Sequence, residues 1–536
     1  MGYGMILVNS SPGDALGIFQ PFLPIFPPVG LGYLAVAAER EGIPVTVLDE
    51  QVEKNLLGRI EQEARAHGEP LLFGFSVLTA ALHQALKVAQ RVKERFPRSL
   101  ICFGGAHPTA MPEEMLRRPQ VDFVIRGEGE AAVVELWRRL SQGQALDQVP
   151  NLSYRADGGV RHNPLCSALL DLDSLPSFPY HRFRGPQRYD FGFIVSSRGC
   201  PYKCIFCSNR NTMGRKYRFR SPELVADELE MLHRDFAVRN VLFLDDNLLV
   251  HRPRAYRLME EIRRRRLHER LTFSFQARGD NVDPELLHDL YACGFRSVFF
   301  GLETASDRLM EMLDKGETVE QCKEAVRMAK REGFHVSGTF MYALPGETHR
   351  DRMDCLRLSR QLDLDLVRFN NATPYPGTRL HELAIEQGRL HVQGEYRNFN
   401  SVSTFIENPF RKIPFSYVPP GNTEPAIRHD ILVSYLAFYL SWRRLKGIFF
   451  SPDRGVGWFN AGRALLDFLR SLPALAWMGL ALTIKFVDLL ARIAFRRGDD
   501  ELTLRECARL MLGPGRDSAS RSAQDAAAEA TEQHGP

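Results

Sequence analysis

The sequence predicts an α/β protein in which a doubly wound parallel sheet is followed by a partial (β/α)6 barrel and then by a helical C-terminal region. Two observations predict the sheets: short apolar runs alternate with helical segments in residues 1–150, and the same alternation returns in residues 187–400. Aliphatic stripes at helical spacing continue through residues 401–512. At 536 residues the chain is long enough for about three domains.

The first alternation contains five apolar runs separated by helical segments. The runs are Met5–Val8, Val45–Leu48, Leu71–Phe75, Leu100–Phe103 and Val121–Ile125. Buried strands separated by helices predict a parallel sheet with helices on both faces. Such a sheet binds a flat or nucleotide-like ligand at the carboxyl ends of its strands.

The loops at those strand ends are rich in small residues. They are Pro27–Ala35, Ser76–Thr79, Gly104–Thr109 and Arg126–Glu130. Turns built from small residues let a large ligand approach the backbone closely. We therefore expect the ligand of the first domain at these loops.

Residues 151–186 are predicted to form a linker. Pro, Ser and Asp are frequent there, as in Asp171–Pro179, and no periodicity is evident. Residues 513–536, rich in alanine, serine and charged residues, are predicted to be a disordered tail.

Three cysteines form the most informative motif of the chain. Cys200, Cys204 and Cys207 lie in one short loop that follows an apolar, β-rich run, so their thiols are expected at the carboxyl mouth of the barrel. A structural zinc site usually has four ligands, and no second cysteine pair follows within forty residues. Three thiolates on a four-iron cluster would leave one iron open. A chance triplet and a zinc knuckle are the alternatives.

Polar residues also end the later strands of the second alternation. Asp245 and Asp246, Arg278 and Glu303 each follow or end an apolar run. Six such runs with helices between them predict the partial (β/α)6 barrel. A carboxylate such as Glu303 is costly at a barrel mouth unless it has a cationic or hydrogen-bond-donating partner.

Residues 1 to 445, through these loops and motifs in this order, resemble the cobalamin-dependent radical S-adenosylmethionine enzymes. That group includes the anaerobic magnesium-protoporphyrin monomethyl ester cyclase and the hopanoid methylases. The resemblance implies a 4Fe-4S cluster on Cys200, Cys204 and Cys207, whose open iron chelates S-adenosylmethionine. It also implies cobalamin on the first domain, and a cofactor-binding role for a wider set of residues. These residues are Ser76, Thr79, Gly104, Gly105, Glu128, Phe206, Asp245, Arg278 and Glu303.

One departure from the wider cobalamin-binding fold concerns the lower cobalt ligand. The loop after the first strand, Asn9–Gly17, contains no histidine, and the first histidine of the chain is His67. We therefore expect no histidine ligand to cobalt from this loop. His107, in the loop after the fourth strand, is interpreted as a packing or hydrogen-bonding residue.

The composition describes an ordinary protein of the reducing cytoplasm. A hydrophobic content of 44% and a net charge of +4 give no indication of a nucleic-acid partner. Apart from the triplet the nine cysteines are scattered, which is typical of a reducing compartment and suits an oxygen-sensitive cluster. The resemblance implies a reducing electron donor, flavodoxin or ferredoxin.

The C-terminal helices are unusually apolar, from Ile431 to Leu445 and from Leu465 to Phe495. Ser471 to Ile484 is uncharged but too short to span a bilayer, which needs roughly 20 apolar residues. The pattern predicts helices that lie on a membrane surface, with Arg470, Lys485 and Arg492 meeting anionic headgroups, or that line a hydrophobic substrate tunnel. Plain core packing is the alternative.

Two reactions follow from the resemblance. In the first, a methyl group is placed on an unactivated carbon of a hydrophobic substrate such as a lipid, a hopanoid or a tetrapyrrole. In the second, the radical leads to oxidative ring closure, as in the cyclase. A remote alternative is a non-catalytic cobalamin or iron–sulfur sensor.

Overall fold

The structure is a computed structural model that describes residues 3–12, 24–156, 158–166, 170–185, 189–402 and 412–439, with single positions between 404 and 410 and between 473 and 491. The predicted disordered tail, Arg470, Arg492 and much of the segment from Leu465 to Phe495 lie outside these residues.

A seven-stranded sheet forms the first domain, with strand order β2-β1-β3-β4-β5-β6-β7. The first five strands are parallel, as predicted, and the last two are antiparallel. The strands are β1 (Gly4–Asn9), β2 (Val45–Asp49), β3 (Leu71–Ser76), β4 (Leu100–Gly104), β5 (Phe123–Ile125), β6 (Leu152–Ala156) and β7 (Gly159–His162).

Strands β6 and β7 fall within the residues predicted to be a linker. β6 pairs with β5 through Phe123 and Tyr154, and β7 closes the edge of the sheet with mostly exposed residues. An exposed edge strand buries little apolar surface, so its sequence carries no apolar run. The first sheet therefore extends to His162.

Helices cover both faces of this sheet, which confirms the doubly wound arrangement. They are α1 (Val29–Arg40), α2 (Leu56–His67), α3 (Leu82–Arg95), α4 (Ala106–Ala110), α5 (Pro112–Leu116) and α6 (Glu130–Gln142). Successive strand side chains point to opposite faces. Ile6 and Val8 accordingly pack in the core under α2 and α3, and Met5 and Leu7 pack in the core under α1 and α6.

Six parallel strands form the second domain, in the order β15-β14-β13-β12-β11-β8, so the predicted partial barrel is confirmed. They are β8 (Phe193–Ile194), β11 (Asn240–Phe243), β12 (Thr272–Ala277), β13 (Phe295–Glu303), β14 (His335–Tyr342) and β15 (Leu366–Asn371). The short strands β9 (Ser197–Arg198) and β10 (Arg218–Phe219) pair antiparallel beside the barrel.

Helices lie between the barrel strands and follow the last of them. They are α7 (Asn209–Thr212), α8 (Pro222–Phe236), α9 (Arg252–Arg264), α10 (Pro284–Ala292), α11 (Asp307–Met312), α12 (Val319–Glu332), α13 (His349–Gln361), α14 (Arg379–Glu386) and α15 (Glu424–Tyr439).

Helix α15 belongs to the barrel. Its Asp430 accepts a 2.6 Å bond from Arg352 Nε, and its Tyr435 hydroxyl accepts a 3.1 Å bond from the Phe369 amide. Ile431 and Phe438 are buried in the barrel core. The apolar pattern of this helix therefore reflects core packing.

The structure contradicts the prediction that Lys485 meets anionic membrane headgroups. The side chain is buried and its Nζ donates a 2.9 Å bond to the Thr404 carbonyl, so it is not available to a membrane headgroup. Within the described residues, no helix is both long and apolar enough to cross a membrane.

Candidate active site

The cysteine loop begins at Gly199, a position that only glycine can occupy. Gly199 has φ +84°, and a Cβ there would collide with the Lys216 carbonyl oxygen. The loop is then fixed by backbone bonds: Cys200 N donates to Gly214 O at 3.4 Å and Ile205 N donates to Leu313 O at 3.0 Å. The three cysteines are thereby held at the mouth of the barrel, as predicted.

The three thiols are free and half-buried. Burial raises the pKa of each, that of Cys204 to about 11, whereas Lys315 and Arg278 act on Cys204 in the opposite direction. Arg278 Nη1 lies 4.0 Å from Cys204 Sγ. Neighbouring cations favour the thiolate form that an iron–sulfur cluster requires, so the loop fits such a cluster. In the described part of the chain, no group of three or more His, Cys, Asp or Glu side chains is placed to hold a single metal ion.

A buried charged network surrounds this loop. Glu303, at φ +59°, lies 3.3 Å from Lys315 Nζ, which also contacts Glu317 Oε1 at 2.7 Å. Burial raises the pKa of Glu303, and Lys315 opposes that shift. Sequence reasoning found Glu303 but missed Lys315 and Glu317, because neither belongs to a recognisable spacing.

Arg278 is engaged within the protein. Its guanidinium lies 3.6 Å above the Tyr202 ring and donates to both carboxylate oxygens of Asp280, at 2.9 and 2.8 Å. This orientation places a fixed positive charge beside Cys204. The partners Tyr202 and Asp280 were not predicted.

Phe206 and Asp245 have supporting positions. Phe206 packs, partly buried, against the barrel core. Asp245 accepts bonds from the Ser196 and Ser197 amides at 2.7 and 3.1 Å, so it anchors the strand that leads into the cysteine loop. The neighbouring Asp246 accepts from Asn209 and lines a cavity, and burial raises its pKa.

That cavity, which we call the central cavity, has a volume of about 540 Å³ and lies between the two domains. Ser76, Gly104, Gly105 and Glu128, four of the residues predicted to bind a cofactor, line it from the first sheet, and its barrel side includes the residues Val195, Ser197, Arg198, Leu244 and Asp246. It also reaches Met5, Leu72 and Cys102 inside the first domain.

Gly105 explains the small-residue loop after β4. It has φ +100°, and a Cβ there would lie 3.0 Å from the Val77 carbonyl oxygen. Two neighbouring loops can therefore approach each other closely and leave room for a ligand above them. The glycine-lined wall fits a large, flat cofactor such as cobalamin.

Thr79 and His107 lie outside the wall of the central cavity. His107 is fully buried, its Nδ1 is 3.4 Å from Thr79 Oγ1, and its ring meets that of Tyr396 at a centroid distance of 4.7 Å. Burial, with a smaller contribution from His381, lowers the pKa of His107 to about 4. His107 is a neutral packing residue between the domains, as interpreted from the sequence.

An ion cluster joins the first domain to the start of the cysteine loop. Glu128 contacts Arg198 Nη1 at 2.8 Å and Arg218 Nη1 at 2.9 Å, and Arg198 Nη2 contacts Glu130 Oε1 at 2.8 Å. All four side chains are at most 16% exposed. Burial lowers the pKa of Arg198, but Glu130 and Glu128 raise it more strongly, so this guanidinium stays charged. We call these four residues the interdomain ion cluster.

Comparison with known proteins identifies the family. The model of the Radical SAM superfamily matches residues 194–359, and that of the B12 binding domain matches residues 18–137. An uncharacterised methyltransferase of Pyrococcus horikoshii is 31% identical over 77% of this chain and 88% of its own. The anaerobic magnesium-protoporphyrin IX monomethyl ester cyclase of Rubrivivax gelatinosus is 26% identical over 72% and 76%. The hopanoid C-3 methylase of Methylococcus capsulatus is 25% identical over 70% and 71%.

A solved structure agrees in fold. The radical S-adenosylmethionine methyltransferase TsrM from Kitasatospora setae, with cobalamin and a [4Fe-4S] cluster bound, has a TM-score of 0.64 at 21% identity and covers 81% of this chain and 91% of its own. The protein belongs to the cobalamin-dependent radical S-adenosylmethionine enzymes, as the sequence motifs indicated. It is an enzyme whose cofactors are a 4Fe-4S cluster, S-adenosylmethionine and cobalamin.

Proposed function

We propose that the enzyme transfers a methyl group to an unactivated carbon of a hydrophobic small molecule, such as a lipid, a hopanoid or a tetrapyrrole. The observation that carries the proposal is the central cavity, because its walls come from both the cobalamin-binding loops and the barrel mouth. The methyltransferase relative at 31% identity supports the same reaction. When bound, the cluster supplies the electron that cleaves S-adenosylmethionine, and cobalamin supplies the methyl group.

The residues of the barrel mouth have separate proposed roles. Cys200, Cys204 and Cys207 ligate the cluster, and Glu303 meets the amino or ribose groups of S-adenosylmethionine. Arg278 keeps a positive charge beside Cys204, at 4.0 Å, which stabilises the thiolate. Asp245 and Phe206 orient the loop through the contacts described above.

The first domain, residues 1–150 with the edge strands to His162, would hold cobalamin. Ser76, Gly104, Gly105 and Glu128 line its cavity, whereas Thr79 lies outside the cavity wall, 3.4 Å from His107 Nδ1. We propose that no histidine of this chain ligates cobalt from below. A cobalt(II) spectrum with nitrogen superhyperfine splitting would contradict this.

Counting S-adenosylhomocysteine tests the reaction. Anaerobically reconstituted enzyme is incubated with a lipid and pigment extract from a deletion strain and with S-adenosylmethionine that carries a deuterated methyl group. We expect a labelled product and one S-adenosylhomocysteine released for each. The cyclase relatives favour oxidative ring closure as the second candidate, which would give an unlabelled product and no S-adenosylhomocysteine.

Two variants control this assay. Cys204→Ala should lose the cluster and all cleavage of S-adenosylmethionine. Cys293→Ala, at a buried cysteine that ends α10, should keep both. Cleavage that persists in Cys204→Ala would refute the assignment of the cluster ligands.

We also propose that the enzyme is cytoplasmic, receives electrons from flavodoxin or ferredoxin, and contacts the inner face of the cell membrane. Phe410, Trp477, Leu480 and Val487 support the membrane contact, because these large apolar side chains are between 38 and 73% exposed. Trp477→Ala with Leu480→Ala should reduce flotation with phosphatidylglycerol vesicles. The equally exposed Ile385→Ala, in α14, is the control, and an equal loss there would refute the contact.

A further inference from the structure

A second cavity, the side cavity, adjoins the central cavity. Its volume is about 520 Å³, and the two cavities share the wall residues Gly127, Glu128, Glu130, Thr212 and Met213. A molecule held in the side cavity would therefore lie directly against the space between the cobalamin loops and the barrel mouth. Thr109, Arg126 and Glu130 belong to loops expected to hold the ligand of the first domain, but the family motifs and the predicted site residues assign nothing to the rest of the wall, which includes Leu165, Leu170, Arg210 and Asn211.

Two guanidinium groups give the side cavity a positive wall. Arg126 and Arg210 both line it. Arg126 donates only to backbone carbonyls, those of Asn151 and Asn163, and Arg210 has no ion pair among the described residues. The carboxylates in the same wall, Glu128 and Glu130, are already bound to Arg198 and Arg218. Among the described residues, no carboxylate lies at hydrogen-bonding distance from either arginine, and Glu113 acts on Arg126 only at longer range.

A buried donor and an apolar surface complete the wall. The side-chain nitrogen of Asn211, a residue of the same wall, is buried and has no hydrogen-bond partner among the described residues, a state that costs free energy. Leu165, Leu170 and Met213 supply apolar surface in the same cavity. Leu165 is 61% exposed, so its side chain is accessible to a ligand.

These features together specify a class of ligand. Arginine recognises carboxylate and phosphate through directed, charge-assisted hydrogen bonds. We infer that the side cavity binds the anionic end of the substrate, an apolar molecule that carries a carboxylate or a phosphate. This inference rests on the proposed function in that it identifies the ligand as the substrate, but binding of the ligand can be measured without turnover.

The probe is 8-anilinonaphthalene-1-sulfonate, an apolar anion whose fluorescence reports binding to the holoenzyme. N-phenyl-1-naphthylamine is the matched neutral probe. Arg210→Gln should weaken binding of the anionic probe by about tenfold, or ~1.4 kcal/mol, and leave the neutral probe unaffected. Because Arg210 makes no described contacts, this variant should fold normally. Arg126→Gln should have the same effect.

Arg215→Gln is the control, since Arg215 is exposed on the same loop and outside the cavity wall. The inference is overturned if the holoenzyme does not bind the anionic probe, if Arg215→Gln weakens it equally, or if the neutral probe is weakened in parallel. Competition by dodecanoate, dodecyl phosphate and dodecanol identifies the anionic group. If dodecanol displaces the probe as strongly as the two anions do, the inference is also overturned. Unchanged cluster, cobalamin and basal cleavage of S-adenosylmethionine in Arg210→Gln separate this result from the proposed function.

Discussion

The interdomain ion cluster can be tested with one charge-removing substitution. In Glu128→Gln, the amide keeps the shape of the side chain, but Arg218 loses the carboxylate that it contacts at 2.9 and 3.0 Å. Removing one partner of a buried pair typically costs about 3–5 kcal/mol. We expect about 3 kcal/mol here, the lower end, because Arg198 still contacts Glu130 at 2.8 Å. For a domain of 150–250 residues this lowers the Tm by roughly 6–12 °C.

The measurement is anaerobic thermal unfolding of the holoenzyme followed by circular dichroism, at low and at high salt. Glu320→Gln on α12 is the control, because Glu320 also contacts two cations, Lys323 at 2.9 Å and Arg327 at 3.1 Å, but is 61% exposed. Exposed pairs contribute about 0–1 kcal/mol and are screened by salt. The reasoning is refuted if Glu128→Gln lowers the Tm no more than Glu320→Gln does.

Two further predictions concern buried positions. His107 is neutral when folded, with a pKa of about 4, so the unfolded chain, with a histidine pKa of about 6.5, binds more protons between these values. Stability should therefore fall by up to ~3 kcal/mol as the pH drops from 6.5 to 4 in urea titrations, and His107→Gln should lose this slope while the exposed His288→Gln keeps it. Gly199→Ala should abolish cluster content, measured as bound iron, because its Cβ would meet the Lys216 carbonyl. Gly143→Ala, at φ +65° with nothing within 4 Å, tests the backbone strain alone and should keep the iron.

The sequence predicted those parts of the molecule that have a local signal. Apolar runs such as Leu71–Phe75 predicted the parallel strands, because a strand covered on both faces must be apolar throughout. Strands β6 and β7 were missed since the edge of the sheet is exposed and its residues are mixed. The cysteine loop was found because its ligand spacing is local.

The contacts between distant residues could not be predicted in this way. Arg198 and Glu128 are separated by 70 positions, and Lys315 and Glu303 by 12. No periodicity records such pairs, because an ion pair needs only two charged residues that the fold brings together. The apolar pattern of α15 was ambiguous for a related reason. Hydrophobicity indicates that a helix face is covered, and it does not indicate whether a barrel or a membrane covers it.

Two of the contacts between the domains, Tyr396 with His107 and the interdomain ion cluster, explain why charged residues lie at a buried interface. The Tyr396 ring packs against His107 at a centroid distance of 4.7 Å, and its hydroxyl donates to Glu114 at 2.9 Å, so this contact combines apolar burial with one directed hydrogen bond. The paired contacts of Glu128 with Arg218, at 2.9 and 3.0 Å, fix both distance and direction. Arg198, which shares Glu128, lies two residues before Cys200, so the interdomain ion cluster connects the loop after β5 directly to the cysteine loop. An apolar contact of the same size would be as stabilising or more so. It would not fix the orientation of the cysteine loop relative to the first domain, because apolar contacts are not directional.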